Sequence, residues 1–197
     1  MTILIAGIIL FLGIHMIRVI VPDFRAKMIA GMGETNWMVA YSVASLVSLA
    51  ILAYGYSVAR PEAVDVWYPP AGMTHLTVTL MLLASICLAS GFLPAGHIST
   101  KTKHPFVLAV KIWAVAHLFA NGDLASIVFF ASFLAWGVVL RIVMKRRHRA
   151  GLSVHRPFVS GRYDIAAVVL GVVIWAAFIL KLHELLFAVA PLPALSL

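Results

Sequence analysis

Three ionisable residues of this 197-residue chain stand inside long apolar stretches: His15, Lys111 and His117. Placing a charged Lys, Arg or Asp at the centre of a membrane costs about 2.5–3.5 kcal/mol, so a polar group that persists there is a candidate for function. Structural alternatives exist for all three. Lys111 is close enough to the end of its stretch for its amine to reach water. A lone histidine among apolar residues can instead serve as a hydrogen-bond partner between helices.

His15 and His117 are spaced so that their rings can meet. At 1.5 Å per helical residue, His15 lies roughly 9 Å from the basic end of its apolar stretch and His117 roughly 18 Å from the basic end of its own. If both stretches are helices that cross a membrane in opposite directions, the Cβ atoms of each tilt toward its own N-terminus. This tilt brings the two side chains closer in depth. The sequence therefore predicts that the imidazoles converge.

Two neutral imidazoles in an apolar site suit iron, copper or zinc. Haem iron needs only two axial ligands from the protein, because the porphyrin supplies the other four. A bare zinc ion would require one or two more ligands, and other histidines are poorly placed to supply them. We expect His75 at the start of the third stretch, on the opposite side from His104, which with Pro105 begins the fourth.

Other residues near these histidines have weaker signals. Trp113 and Asn121 stand four residues before and after His117, on about the same helix face, so they are candidates to line its pocket. Packing and helix termination are the alternative for both.

His183 and Glu184 begin like a zinc-protease helix but lack its second histidine. We expect them at the outer interface.

The elements that must position these side chains are apolar stretches long enough to cross a hydrocarbon layer. They lack the alternation of strands, so we predict helices. The fold class predicted is all-α, a polytopic membrane protein with a bundle of about six transmembrane helices in a single domain, residues 1–197. The predicted spans cover approximately residues 3–21, 37–59, 74–93, 105–120, 124–143 and 165–190.

Composition supports this prediction and argues against other classes. The chain is 63% hydrophobic and 11% charged, whereas soluble domains average about 45–50% apolar and 25% charged residues. The main partner predicted is therefore the lipid bilayer. The net charge of +8 would suit nucleic acid, but the cations fall in loops between apolar stretches, and we predict no nucleic-acid binding.

The distribution of Lys and Arg predicts an orientation. The loops after the first, third and fifth stretches are basic, whereas the opposite side has only Arg60 and Lys181. By the positive-inside rule, both termini face away from the cytoplasm, which in the inner membrane of a bacterium means the periplasm. Clustered cations in 144–149 also suit anionic lipid head groups, although a topology anchor is the simpler reading. The residues on the basic side are Arg18, Arg25, Lys27, Lys101, Lys103, Arg141, Lys145, Arg146, Arg147, Arg149, Arg156 and Arg162.

The tightest connection between stretches is Asn121-Gly122-Asp123. Glycine readily takes the left-handed conformation that ends a helix, and aspartate is a preferred N-cap. We therefore expect Gly122 to end the fourth helix and Asp123 to cap the fifth.

Several of these residues form a motif that resembles a known family. The segments Lys103-His104-Pro105, Lys111 to Leu118 (KIWAVAHL) and Ala120 to Asp123 are similar to the signature of the NnrU family of bacterial membrane proteins. A second similarity, to the family's N-terminal pattern, begins in the first stretch and continues after it, so the resemblance runs from there to about Arg147. Its residues are Gly13, Ile14, His15, Pro22, Arg25, Ala26 and Gly33.

The resemblance implies a function and a cofactor. The NnrU family is associated with denitrification, and its domain is shared with plant 15-cis-zeta-carotene isomerase, a haem b enzyme. It implies haem b held by the histidines that match His15 and His117. The plant motif has a cysteine between its tryptophan and its histidine, at the position of Ala114 in this chain. Chemistry that uses a thiolate there is therefore not expected.

Three hypotheses follow. The first is a haem b-binding inner-membrane protein, with His15 and His117 as axial ligands, that acts in nitrite and nitric oxide metabolism or a related redox step. The second is a cis-trans isomerase of carotenoids or other polyenes. The third is a non-enzymatic assembly or regulatory factor whose partners are the subunits of a membrane nitrogen-oxide reductase. These residues do not decide whether the protein is an enzyme.

Overall fold

The structure, a computed structural model, describes residues 1–21 and 23–192, and for Arg18 the backbone alone. Pro22, which contributes to the family resemblance, and the side chain of Arg18, which contributes to the basic side, lie outside the described residues.

The described part of the chain is helical, and its only β-type pairing is an isolated antiparallel bridge between Asp65 and Asp123. The all-α prediction is confirmed. A short 3-10 turn, Arg60–Glu62, follows the third helix, and a π turn, Phe178–Leu182, separates the last two. The helices are α1 (Thr2–Ile20), α2 (Phe24–Met32), α3 (Glu34–Ala59), α4 (Met73–Phe92), α5 (His97–Thr102), α6 (Pro105–Ala120), α7 (Leu124–Arg149), α8 (Arg162–Ala177) and α9 (His183–Phe187).

Four helical segments are long and apolar enough to cross a membrane: Glu34–Glu62, Met73–Phe92, Leu124–Arg149 and Arg162–Phe187. Two shorter apolar segments accompany them: Thr2–Ile17, which is most of α1, and Pro105–Ala120, which is α6. These lengths and compositions are compatible with a membrane protein.

The contacts divide the chain into two compact units. The first comprises Met1–Trp67 and Gly122–Trp136, and the second comprises Tyr68–Asn121 and the chain from Gly137 onward. The first unit contains α1, α2, α3 and the first half of α7. The second contains α4, α5, α6, the second half of α7, α8 and α9.

In the first unit, two glycines let α1 and α3 approach closely. A Cβ added at Gly7 would lie 2.6 Å from the Cα of Leu52, and one added at Gly55 would lie 2.7 Å from the backbone nitrogen of Leu4. Leu4 and Leu52 are almost fully buried in the same cluster. The two pairings fix an antiparallel register between the helices.

The connection after α6 differs from the prediction at Gly122. The prediction of a left-handed conformation at Gly122 is wrong, because its φ is not positive. The described residues with positive φ are Gly33, Gly72, Lys103, Gly151 and Ala188. Gly122 is needed for space instead: a Cβ there would lie 1.7 Å from the carbonyl oxygen of Trp67. Asp123 does cap α7, because its Oδ1 accepts a hydrogen bond from the backbone N–H of Ser126 at 2.8 Å.

In the second unit, α4 packs against both α6 and α8. The Thr77 hydroxyl donates to the carbonyl of Ala116 at 3.0 Å, and the Trp175 indole N–H donates to the carbonyl of Val78 at 2.8 Å. At Gly171 an added Cβ would meet the Cα of Ile86 at 2.7 Å, so α4 and α8 are in backbone contact. These contacts place α6, which carries His117.

Candidate functional site

His15 lies on α1 in the first unit and faces α3. Its Nδ1 is 2.7 Å from the carbonyl oxygen of Phe11, one turn earlier. A carbonyl oxygen only accepts, so the proton of the neutral ring is on Nδ1 and the lone pair is on Nε2. Nε2 is 3.5 Å from the hydroxyl of Ser45 on α3, a position that follows from the glycine-set register. The ring is half-buried.

An open apolar cavity of about 240 Å³ lies next to His15 in the same unit. His15 does not line the cavity, but the centroid of its ring is 6.0 Å from that of Tyr41, and Tyr41 does line it. Ligand pockets usually measure about 300–1,000 Å³, so this cavity has room for part of a flat cofactor or for one end of a long apolar molecule. Its lining consists of Ile14, Ile17, Phe24, Trp37, Ala40, Tyr41 and Ala44.

His117 lies near the end of α6 in the second unit and has the same ring geometry as His15. Its Nδ1 is 2.9 Å from the carbonyl oxygen of Trp113, one turn earlier. This bond again assigns the proton of the neutral ring to Nδ1. A histidine that ligates a metal through Nε2 usually donates its other N–H to a carbonyl or carboxylate, and the two histidines share this arrangement.

The two pocket candidates on α6 have different surroundings. The ring of Trp113 is 5.3 Å from that of His117, so it lies against the imidazole as expected from the spacing. Asn121 donates its side-chain amide to the carbonyl of His117 at 2.8 Å, and its own backbone N–H bonds the same oxygen at 3.0 Å. Asn121 thus donates hydrogen bonds to a carbonyl group at the C-terminal end of α6. Its role in lining a pocket stays a prediction.

The sequence interpretation did not connect His183 with His117. Their rings are nearly parallel with centroids 6.4 Å apart. The π turn Phe178–Leu182 immediately precedes His183 and sets its direction. The Nδ1 of His183 is 2.7 Å from the carbonyl oxygen of Val189, whereas Lys181 pairs with Glu184 at 3.0 Å on the exposed side. The π turn is one extra residue in a helix, which leaves no pattern in the composition. The sequence alone therefore gave no signal that His183 would lie beside His117.

Lys111, the third ionisable candidate, packs on α7. A Cβ added at Gly137 would lie 2.8 Å from the Cγ of Lys111, so this glycine makes room for the stem of the lysine. The side chain is half-buried. This placement fits a packed stem with a terminal amine and gives no direct link to His117.

The described residues contain no group of three or more His, Cys, Asp or Glu side chains that could hold a metal ion. A bare zinc site with three or four protein ligands therefore has no support within residues 1–21 and 23–192. Haem asks for only two ligands, and the two Nδ1-anchored imidazoles have the donor atoms that axial ligation requires.

Comparison with known families adds the decisive observation. The sequence model described as NnrU protein matches residues 3–191, nearly the whole chain. The chain belongs to the NnrU family. The NnrU match includes both candidate histidines and continues beyond Arg149, where the motif resemblance ended. No curated protein and no solved structure matches the chain.

Proposed function

We propose that this NnrU-family protein is a multi-pass protein of the bacterial inner membrane that binds haem b and acts in nitrite and nitric oxide metabolism or a related redox step. The family match supports a nitrogen-oxide-related membrane function. The observation that carries the haem proposal is the shared anchoring of His15 and His117, each by Nδ1 to the carbonyl four residues earlier.

About six spans are proposed, because α1 and α6 are one and four residues shorter than the shortest of the four long segments, Met73–Phe92. At 1.5 Å per residue, the 19 residues of α1 extend about 28 Å and the 16 of α6 about 24 Å. The hydrocarbon layer is about 30 Å thick, and a shorter helix is accommodated by local thinning of the bilayer. Six spans with basic loops inside place both termini in the periplasm.

This topology predicts opposite labelling of two exposed positions. Val64 is 67% exposed in a loop assigned to the periplasm, and Val154 is 92% exposed in a loop assigned to the cytoplasm. In spheroplasts, an impermeant maleimide is expected to label Val64→Cys at once and Val154→Cys only after permeabilisation. The wild-type protein is the background control, because its one cysteine, Cys87, is buried. Labelling in the reverse order would contradict the orientation.

The role proposed for the chain's own residues is to present the Nε2 lone pairs of His15 and His117 in an apolar setting. The Nδ1 hydrogen bonds fix the ring orientations and increase the basicity of the ligating nitrogens. Ser45, 3.5 Å from the Nε2 of His15, would donate its hydroxyl elsewhere when that lone pair binds iron. Haem bound in this way would supply one-electron transfer, and the apolar walls would exclude water.

A visible spectrum of the purified protein tests the cofactor. Expression with a haem precursor, purification in mild detergent and a pyridine haemochrome assay should give about one haem b per chain. A protein that is folded and colourless under these conditions would contradict the proposal.

Isomerisation of a polyene is the second candidate, and the cavity beside His15 favours it. Its lining is apolar and aromatic, and it is open on one side, as entry of a long hydrocarbon from lipid requires. Filling it with Ala44→Phe should block such a substrate. Carotenoid profiles of a deletion strain supplied with cis-polyenes provide the measurement, and an unchanged profile would argue against the isomerase.

A further inference from the structure

A second cavity, of about 350 Å³, opens at the basic end of the second unit. It lies where α4 ends and α6 begins, and α7 and the loop after α7 complete it. None of its lining residues belongs to the haem proposal. They are Gly91, Lys103, His104, Pro105, Phe106, Val107, Met144 and Arg156.

One side of this cavity is positively charged. Lys103 and Arg156 line it, and no lining residue is acidic. The Arg156 guanidinium donates to the carbonyls of Gly91 and Leu93 at the end of α4, which uses two of its five N–H donors. Lys103 and Arg156 therefore give one wall a positive charge, and none of the described residues that line the cavity has a carboxylate to neutralise it.

Backbone donors at the start of α6 add to the positive side. Phe106 and Val107 occupy the first turn, where helix N–H groups have no partner within the helix. No side chain caps this helix end, and neither N–H donates to another group within the described residues. The helix dipole favours an anion at the same place.

Two imidazole nitrogens lie at this wall or beside it: His104 lines the cavity, and His155, which does not, is next to His104. The Nε2 atoms of His104 and His155 are buried and have no hydrogen-bond partner within the described residues. The ring of His155 is 5.5 Å from that of His104 and 3.7 Å from that of His148. A buried polar atom without a partner costs about 1–3 kcal/mol, which a hydrogen-bonding ligand would recover.

The other side of the cavity is apolar. The ring of Phe106 stands edge-on to that of Phe92 at 4.7 Å, and the two side chains are 40% and 73% exposed. Val107 and Met144 extend this surface. A free inorganic anion would contact only the charged wall, whereas a molecule with an anionic head and a hydrocarbon tail would cover both walls.

We infer that this cavity binds an anionic phospholipid, with the phosphate against Lys103, His104 and Arg156 and an acyl chain along Phe92 and Phe106. The inference rests on the membrane placement proposed above and is independent of haem. The basic loops assigned to the cytoplasmic side give the cavity access to head groups of the inner leaflet.

A matched pair of lysines tests the inference. Lys103 lines the cavity, whereas Lys101 is exposed on α5 and does not. Delipidated protein is titrated with dioleoyl phosphatidylglycerol and, separately, dioleoyl phosphatidylcholine, and bound lipid is counted by native mass spectrometry. Phosphatidylglycerol should bind more tightly, and Lys103→Gln should weaken it about fivefold, the effect of one basic residue near a head group. Lys101→Gln should leave binding unchanged, and both variants should keep the wild-type haem content.

Acidification provides a second measurement. Burial lowers the pKa of His104 below its usual value, and the positive charges of Arg141, His155, His148 and Lys103 lower it further. Burial and the charges of His148, Lys103 and Arg141 do the same to the pKa of His155. A bound phosphate raises both pKa values, so lipid binding takes up protons. Binding should therefore be tighter at about pH 6 than at about pH 7.5, and His104→Gln should reduce this dependence.

Three outcomes would overturn the inference. Equal binding of the two lipids would remove the requirement for an anionic head. Competition by inorganic phosphate at the same concentration as the lipid would identify a free-anion site. Equal loss in Lys101→Gln and Lys103→Gln would assign the effect to the general surface charge. The labelling of Val64→Cys and Val154→Cys separately tests whether the membrane placement itself is right.

Discussion

His15→Ala and His117→Ala should each lose most of the haem from the purified protein. Each substitution removes one of the two proposed axial ligands, so the iron would lose one of its two bonds to the protein and haem binding should weaken. The expected result is a ratio of haem to protein reduced at least severalfold, measured with the pyridine haemochrome assay. The loss should be as large for one histidine as for the other.

Controls separate ligation from folding. His75→Ala removes an exposed histidine at the start of α4 and should keep the wild-type spectrum. His117→Met replaces one ligand by a thioether, which should preserve part of the haem and raise its reduction potential. Imidazole added to His15→Ala or His117→Ala should restore absorbance if only the ligand is missing. Full haem occupancy in both alanine variants would exclude these two residues as the ligands.

Gly7→Ala should destabilise the first unit, whereas Gly13→Ala on the same helix should not. The added Cβ at Gly7 would meet the Cα of Leu52 at 2.6 Å, a backbone atom that moves only if α1 and α3 separate. Overpacking of this kind costs about 1–3 kcal/mol. At Gly13 an added Cβ would have no atom of the described residues within 4 Å apart from its own helix backbone, so alanine should gain about 0.5–1 kcal/mol from its better helix propensity.

Thermal unfolding in detergent measures both variants. About 1 kcal/mol corresponds to about 2–4 °C for a chain of this size, so Gly7→Ala should lower the Tm by several degrees and Gly13→Ala should hold or raise it. Gly7→Ala should also shift the distance between His15 and Ser45, because the same register sets both. Equal Tm values for the two variants would contradict the proposed backbone contact.

Apolar stretches predicted most helix positions closely. The prediction for residues 105–120 coincides with α6, and that for 74–93 differs from α4 by one residue at each end. The stretch 124–143 is too short by six residues, because α7 continues as a helix through its basic end to Arg149. Hydropathy detects only the apolar part of a helix. The polar end has the same backbone hydrogen bonds but is not detected.

Two short helices between the apolar stretches were not predicted. α2 and α5 have nine and six residues, and neither forms an apolar stretch. The first turn of α5 depends on Asp164, whose carboxylate accepts hydrogen bonds from the backbone of His97 and Ile98 at 2.8 Å. A cap supplied from 66 positions further along the chain leaves no local signal.

The sequence alone identified the candidate histidines, because a polar side chain in an apolar stretch is energetically costly. It did not identify the residues that surround them. An imidazole inside an apolar stretch is visible from sequence, and so His15 and His117 were found. Which helices lie beside each histidine depends on glycine contacts such as Gly7 with Leu52, and these require the neighbour to be known. The cationic cavity at Lys103 and Arg156 joins segments about fifty residues apart, so only the basic character of its end was predicted.

The π turn at Phe178–Leu182 sets how far α9 is rotated about the helix axis relative to α8. A π turn holds one more residue than an α turn, and each residue of an α-helix turns the chain by about 100°. If the same five residues took α geometry instead, the His183 ring would turn by about 90° relative to α8, away from His117. The wider turn, rather than the α-helices on either side of it, therefore allows the two rings to stack.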